Sequence, residues 1–206
     1  MQDNVSDNDR LAKAINGDSD SFAKLFEVYR PRLRRMVDVR MDARARARFD
    51  PSDVLQESFV EAARTLPTYA AKQEQIPFFL WLRLITGDRL AKFHRNHLGA
   101  QKRAATREVN AAYDGPSASS VYLASQLVGD FTSVDHNLKA EETQLLLEDA
   151  LNGMDEKDRD VIAMRHYEEL STEEIAIVLN MTRSGVLKRY ARAINKLTSA
   201  LRNQER

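Results

Sequence analysis

Five polar residues near the C-terminus recur at helical spacing: Arg183, Ser184, Lys188, Arg189 and Arg192. Cations of this kind hold phosphates, and arginine, lysine and serine also donate to base edges in a DNA groove. At 100° per residue, Ser184, Lys188, Arg192 and Asn195 point one way, with Arg189 and Lys196 on the flank. Val186, Tyr190, Ala193, Ile194, Leu197 and Leu201 point the other way, and Leu187 falls at the edge of that apolar face. Just upstream, Ser171 and Glu174 form an S-x-x-E capping box that opens a short helix. Asn180-Met181 then makes a tight turn, and Thr182 caps the second, basic helix. A solvated amphipathic helix would also carry a basic face. The paired caps and the short turn favour a helix-turn-helix seated in a major groove. Arg183, Ser184 and Lys188 would then lie near base edges, and Arg189 and Arg192 near phosphates.

Two other constellations invite chemistry. In the segment IPFFLWLRLITGDRLAKFHRNH, the aromatics Phe78, Phe79, Trp81 and Phe93 interleave with Arg83, Arg89, Lys92, His94 and Arg95. Cations for phosphates and rings for unstacked bases suit single-stranded or melting DNA. Phe78, Leu82 and Ile85 are equally spaced as core. The segment DPSDVLQESFVEA differs in character. Asp50 caps a helix, Pro51 suits its first position, and Asp53 complements its positive end. Leu55, Phe59, Ala62, Ala63 and Leu66 share a core-facing side, whereas Asp53, Gln56, Glu57, Val60 and Arg64 share an outer one. Acids around an exposed valine suit a protein partner better than DNA.

Hydrolytic and metal chemistry find no matching pattern. The chain has no cysteine, which excludes disulfides, thiolate nucleophiles and thiolate metal sites. His94-x-x-His97 has no carboxylate or third ligand patterned beside it, so neither a metal nor a cofactor is expected. Glu168-Glu169 and Glu173-Glu174 fit solvated helix faces and caps, and no glycine-rich phosphate loop occurs.

The elements that must position these residues are helical throughout. The chain has 206 residues and is 43% hydrophobic, with 7 glycines and 5 prolines. That composition points to an all-α protein without a membrane span. The start, MQDNVSDNDR, is too polar for a secretory signal, so a cytoplasmic location is expected. The net charge of zero conceals blocks: eight arginines face two acids over 30–48, and seven acids face one lysine over 109–150. This suits polyanion contact at chosen surfaces. The arginine run 43–48 suits either a solvated loop or such a contact. Periodicity predicts helices at about 19–41, kinked or divided by Pro31, at 51–66, ended by Pro67, and at 77–97. Further helices are expected at about 138–152, 156–168, 172–179 and 183–202. The intervening stretch contains YDGPSASS and reads as a linker over 104–136.

Taken in order, these stretches resemble the sigma-70 family of bacterial RNA polymerase sigma factors, specifically its small extracytoplasmic-function (ECF) group. GDSDSFAKLFEVYRPRLRRM is similar to region 2.1, DPSDVLQESFVEAAR to region 2.2, and PFFLWLRLITGDRLAKFHR to regions 2.3 and 2.4. Residues 151–197 resemble region 4. The resemblance implies a non-enzymatic factor that binds core RNA polymerase and promoter DNA and starts transcription at chosen promoters. It implies domain 2 over 1–103 and domain 4 over 137–206. It carries core polymerase binding to the helix holding Asp53, Gln56, Glu57 and Val60. It carries −10 engagement to the segment with Trp81, Arg89, Phe93, His94 and Arg95. It carries −35 recognition to Arg183, Ser184, Lys188, Arg189 and Arg192. The chain departs from the family's region 2.3 pattern at Gly87, Asp88 and Lys92. An anti-sigma factor is a further possible partner. The nearest rival is a free-standing helix-turn-helix regulator that acts without polymerase, and a helical adaptor for protein partners is a third.

Overall fold

The computed structural model describes residues 3–71, 73–98, 118–132 and 140–202. Among these residues the regular structure is entirely helical. The helices are α1 (Asp3–Ile15), α2 (Ser19–Arg40), α3 (Ala43–Arg46), α4 (Pro51–Ala70), α5 (Phe78–Leu98), α6 (Ser120–Thr132), α7 (Ala140–Asn152), α8 (Glu156–His166), α9 (Thr172–Val178) and α10 (Arg183–Arg202). The chain divides into two compact units, Met1–Val109 and Asn110–Arg206.

In the first unit, α2, α4 and α5 pack around one core. Phe22, Leu25, Phe26, Leu33, Met36 and Val37 of α2 meet Val54, Leu55 and Ala62 of α4, and Leu80, Leu82 and Leu90 of α5 close it. Phe59 reaches in from α4, with ring centroids 5.3 Å from Phe22 and 5.2 Å from Phe26.

Of the two outcomes expected at Pro31, division of α2 does not occur, and the expected end of α4 at Pro67 is corrected, since α4 runs on to Ala70. An internal proline costs about 3 kcal/mol. Full burial of one large apolar side chain returns about 1.5–3 kcal/mol, and α2 buries several on both sides of Pro31. Both prolines are exposed, so water can solvate the carbonyl each leaves unbonded. Beyond Pro67, Tyr69 is buried and donates its hydroxyl to the Ile76 carbonyl at 3.1 Å. Helix α1, unforeseen in so polar a segment, buries Ala14 and packs on α2. Asp7 there accepts a hydrogen bond from the Tyr29 hydroxyl at 3.3 Å.

In the second unit, α7, α8, α9 and α10 form a helical cluster, with Leu147, Leu151, Val161, Ile162, Ile175, Val186, Ala193 and Leu197 buried. The stretch expected to be linker carries an additional helix here. Ser120, Leu123, Ala124 and Leu127 of α6, at i, i+3, i+4 and i+7, are all buried, and α6 packs on α7. Asp160 of α8, itself buried, accepts the Ala118 N–H at 2.9 Å and fixes the entry to α6.

Candidate nucleic-acid and protein interfaces

The α9–α10 pair has the expected caps. The Ser171 hydroxyl accepts the Glu174 N–H at 3.1 Å, and the Glu174 carboxylate accepts the Ser171 N–H at 2.7 Å. The turn closes as a Schellman motif, with Asn180 N–H donating to Ile177 O and Met181 N–H to Ala176 O. Asn180 takes the left-handed conformation, at φ 49°, that this motif requires. Thr182 then accepts the Gly185 N–H at 3.1 Å and opens α10. Gly185 is confined there, because a Cβ would come within 3.2 Å of both Met181 Cε and the Thr182 hydroxyl.

The five expected residues on α10 divide into two groups. Arg183, Ser184 and Lys188 are exposed, and Arg183 pairs with Glu173 across the turn at 2.9 Å. Arg189 and Arg192 instead converge on Asp158, the third residue of α8. Arg192 grips its carboxylate with Nε and Nη2, both at 2.8 Å, and Arg189 Nη1 reaches it at 2.5 Å and Asp155 at 2.9 Å. The Asp158 side chain is only 8% exposed, while that of Arg192 is 61% exposed. Burial alone would raise the Asp158 pKa, but the hydrogen bonds from Arg192 and Arg189 and their charges hold it below the usual carboxylate range. Two cations expected at phosphates are thus joined from beneath by one acid, which fixes α10 on α8. Sequence spacing had not singled out Asp158. Its signal was an acid in the first turn of α8 with two arginines three residues apart on α10.

Leu187, at the edge of the apolar face, is 52% exposed and turns outward, whereas its neighbour Val186 is buried. Tyr190 stacks on His166, its hydroxyl 3.0 Å from Nε2.

On α4 the outer face is as expected. Asp53, Gln56, Glu57, Val60 and Arg64 are all exposed, Val60 to 61%. Ala63, expected in the core, is exposed as well. Asp53 also serves the helix start, its carboxylate accepting the Asp50 N–H at 2.9 Å. At the far end of the face Arg64 pairs with Glu61 at 2.6 Å, and that hydrogen bond is the main cause of the lowered Glu61 pKa.

The α5 residues are more deeply used in packing than their types suggested. Arg83, expected among phosphate-binding cations, is 0% exposed, so its guanidinium serves the interior of the unit. Phe78 and Phe79 are buried, and Arg32 of α2 sits 3.8 Å over the Phe79 ring. Trp81 is half-buried and stacks on Tyr69 at 4.6 Å. Phe93 packs on Phe49 at 4.9 Å. His94 Nε2 accepts the Asp42 N–H at 3.3 Å, so the ring is neutral there; burial, more than any neighbouring charge, lowers its pKa. Lys92 and Arg95 remain exposed, and Arg89 is half-buried. The arginine run at 43–48 is neither wholly loop nor wholly solvated. Asp42 caps α3, Ala45 is buried, Arg44 pairs with Asp42 at 3.0 Å and Arg46 with Asp38 at 3.4 Å.

Among the described residues no group of three metal-ligating side chains assembles; the His97 side chain lies outside them. No helix among the described residues is long and apolar enough to cross a membrane.

The fold and these faces define an all-helical protein with a helix-turn-helix DNA-binding module. Residues 144–197, from α7 through most of α10, match the family model for sigma-70 region 4. Over 193 residues, 94% of each chain, the protein is 24% identical to the ECF RNA polymerase sigma-E factor of Haemophilus influenzae. It is 34% identical over 73 residues to the RNA polymerase sigma-E factor of Streptomyces avermitilis, covering 35% of this chain and 41% of that one. Its fold is similar to that of CnrH, solved in complex with the cytosolic domain of CnrY. That match has a TM-score of 0.57 at 20% identity and covers 96% of this chain and 98% of that one. Residues 144–197 thus carry a sigma-70 region 4 module, and nearly the whole chain is similar to an ECF sigma factor.

Proposed function

We propose that the protein binds core RNA polymerase through the outward face of α4 and directs it to promoters. In this reading α5 engages the −10 element and α10 reads the −35 element. The observation that carries it is the exposed Arg183–Ser184–Lys188 face on a helix-turn-helix capped at both helices, within the segment matched by the region 4 model. Arg183, Ser184 and Lys188 are the base-edge and phosphate contacts. Arg192, whose side chain is mostly exposed, adds a phosphate contact while it holds Asp158, and Arg189 chiefly positions the helix. On α4, Asp53, Gln56 and Glu57 offer acids and an amide to a basic partner surface, and Val60 adds apolar contact. On α5, Arg95 and the partly covered Trp81 and Arg89 are the −10 contacts that need no repacking. Phe93 and His94 act there by shaping the surface that includes α3.

The domain roles follow: domain 2 over 1–103 meets polymerase and the −10 element, and domain 4 meets the −35 element. The helix α6 adds its packing to that second unit. The location is the cytoplasm, where polymerase and promoter are. The structural neighbour's complex with a cytosolic partner domain supports regulation by a protein of the anti-sigma kind.

Two small DNA-binding surfaces on a neutral chain bind duplex weakly, whereas a polymerase scaffold makes the second contact intramolecular. Reconstituted run-off transcription tests the proposal. Core enzyme plus this chain should yield promoter-dependent transcripts that core alone does not. Tight sequence-specific binding by the free chain, with no transcript from the reconstituted mixture, would instead support the free-standing regulator.

A further inference from the structure

We infer that Leu187 is a specificity determinant that reads the C5-methyl group of a thymine in the −35 element; the inference rests on the −35 role proposed for α10. A single exposed leucine is ordinary on a protein surface. Its position makes this one informative. At 100° per residue, Ser184, Leu187, Lys188 and Ala191 fall within an arc of about 100°, and all four are exposed or largely so. The centre of this arc lies about 150° from buried Val186, Ala193 and Leu197, with Leu187 at the edge nearer to them, so the arc faces outward where a groove would receive it.

Among the residues of that arc, Leu187 is the one large apolar side chain, at 52% exposure, and Ala191 lies one turn beyond it. Arg183 and Lys188 flank the pair and suit a polyanion, which makes an apolar protein surface a poor occupant. In the major groove the apolar feature of a base pair is the thymine methyl group. Serine and lysine on the same arc supply donors for adjacent bases or phosphates, but neither distinguishes thymine by its methyl group. Leu187, with Ala191 leaving room beside it, supplies that discrimination. Because Leu187 stands outside the core, truncating it leaves the fold intact.

The test uses the holoenzyme reconstituted from core polymerase and the full chain. The probe is duplex DNA from a promoter selected by transcription from a randomised library. Each thymine under the upstream footprint is replaced in turn by deoxyuridine, which removes only the methyl group. The wild-type holoenzyme should lose about fourfold in affinity at one or two positions, the value of one buried methyl group. Leu187→Ala should bind the thymine duplex about as weakly as wild type binds the deoxyuridine duplex, and should be indifferent to the replacement. Leu187→Met, which keeps the apolar reach, should retain the sensitivity.

Wild-type indifference at every protected thymine would overturn the inference and leave the −35 role standing. So would undiminished deoxyuridine sensitivity in Leu187→Ala, or an upstream footprint without thymine. A loss of core binding in Leu187→Ala would also overturn it, by assigning the residue to a protein contact. The absence of any upstream footprint from a transcribing wild-type holoenzyme would overturn the −35 role and the inference together.

Discussion

The outward faces of α4 and α10 are built on the same plan with opposite charge. Each is a 20-residue helix that buries one side and exposes a branched apolar residue among polar neighbours. On α4 that residue is Val60, among Asp53, Gln56 and Glu57; on α10 it is Leu187, among Arg183, Ser184 and Lys188. The difference lies beneath the faces. Helix α4 is held by apolar burial, its own capping box and a hydrogen bond from Arg34 of α2 to the Ser52 hydroxyl at 2.8 Å. Helix α10 has apolar burial too, but it is also gripped from the side by the Asp158 pair to Arg189 and Arg192. In the proposed roles, the α4 face would meet a basic protein surface and could rely on shape, whereas the α10 face would enter a groove and must hold several donors in register. The part-buried ion pairs on Asp158 supply that rigidity on α10.

The largest expected effect breaks the grip. Asp158→Ala removes three charge-assisted hydrogen bonds and leaves two arginines without their shared acid. Stability should fall by about 1–3 kcal/mol, read by chemical denaturation of the second unit's helices, while core polymerase binding through α4 stays intact. A variant as stable as wild type would show that burial alone seats α10.

Charge reversal tests the α4 side. Glu57→Lys should weaken association with core polymerase about tenfold in a competition assay, since it adds like charge to a contact with a basic surface. Its helical content and melting should be unchanged, because the residue is exposed. Normal holoenzyme assembly would move the docking surface elsewhere.

A smaller effect is expected on the α10 face. For Lys188→Ala, promoter affinity of the holoenzyme should fall similarly across sequences, and the salt slope of binding should drop by about 1. An unchanged slope would remove Lys188 from the phosphate contacts.

The smallest effect separates the units by pH. His94 is held neutral, below its ordinary pKa of 6.5, mainly by burial, with Asp42 opposing and Arg44 assisting. In the range just below 6.5 the unfolded state therefore binds more protons than the folded one, and stability is lost as pH falls through it. Asp158 is also lowered, but from 3.8, so its contribution persists until the pH drops below that value. Acid should thus loosen the first unit well before the second. Intrinsic fluorescence of the only tryptophan, Trp81 in the first unit, should report an earlier transition than helix loss from the second. Coincident transitions, or an early one that survives His94→Gln, would assign the difference to other groups.

How far the sequence revealed these arrangements depended on the range of the interaction. The caps at Ser171 and Thr182, and the α4 face from Asp53 to Val60, are local patterns, written in residues three or four apart. Asp158 lies 31 and 34 positions from its arginines, a distance over which helical periodicity carries no information. Arg83 misled for a related reason: its type argues for the surface, and only the assembled first unit shows that α5 is enclosed at that position. The prolines at 31 and 67 carried strong local penalties that tertiary burial outweighed. Helix α6 was legible in the spacing of Ser120, Leu123, Ala124 and Leu127, but the Gly-Pro and serine-rich stretch before it drew the reading toward a linker.

The Asp158 grip has a further consequence for how such a protein would search a genome. Every cation that settles on a phosphate releases a condensed counterion, and this entropy gain is the same on any sequence. An arginine held by a carboxylate contributes little of it. In the proposed role, Asp158 would lower the reward for resting on random duplex by occupying Arg189 and sharing Arg192, while Ser184 and Leu187 stay free to probe bases. The unit would then dwell briefly at wrong sites, and its residence time would be decided by the bases it meets.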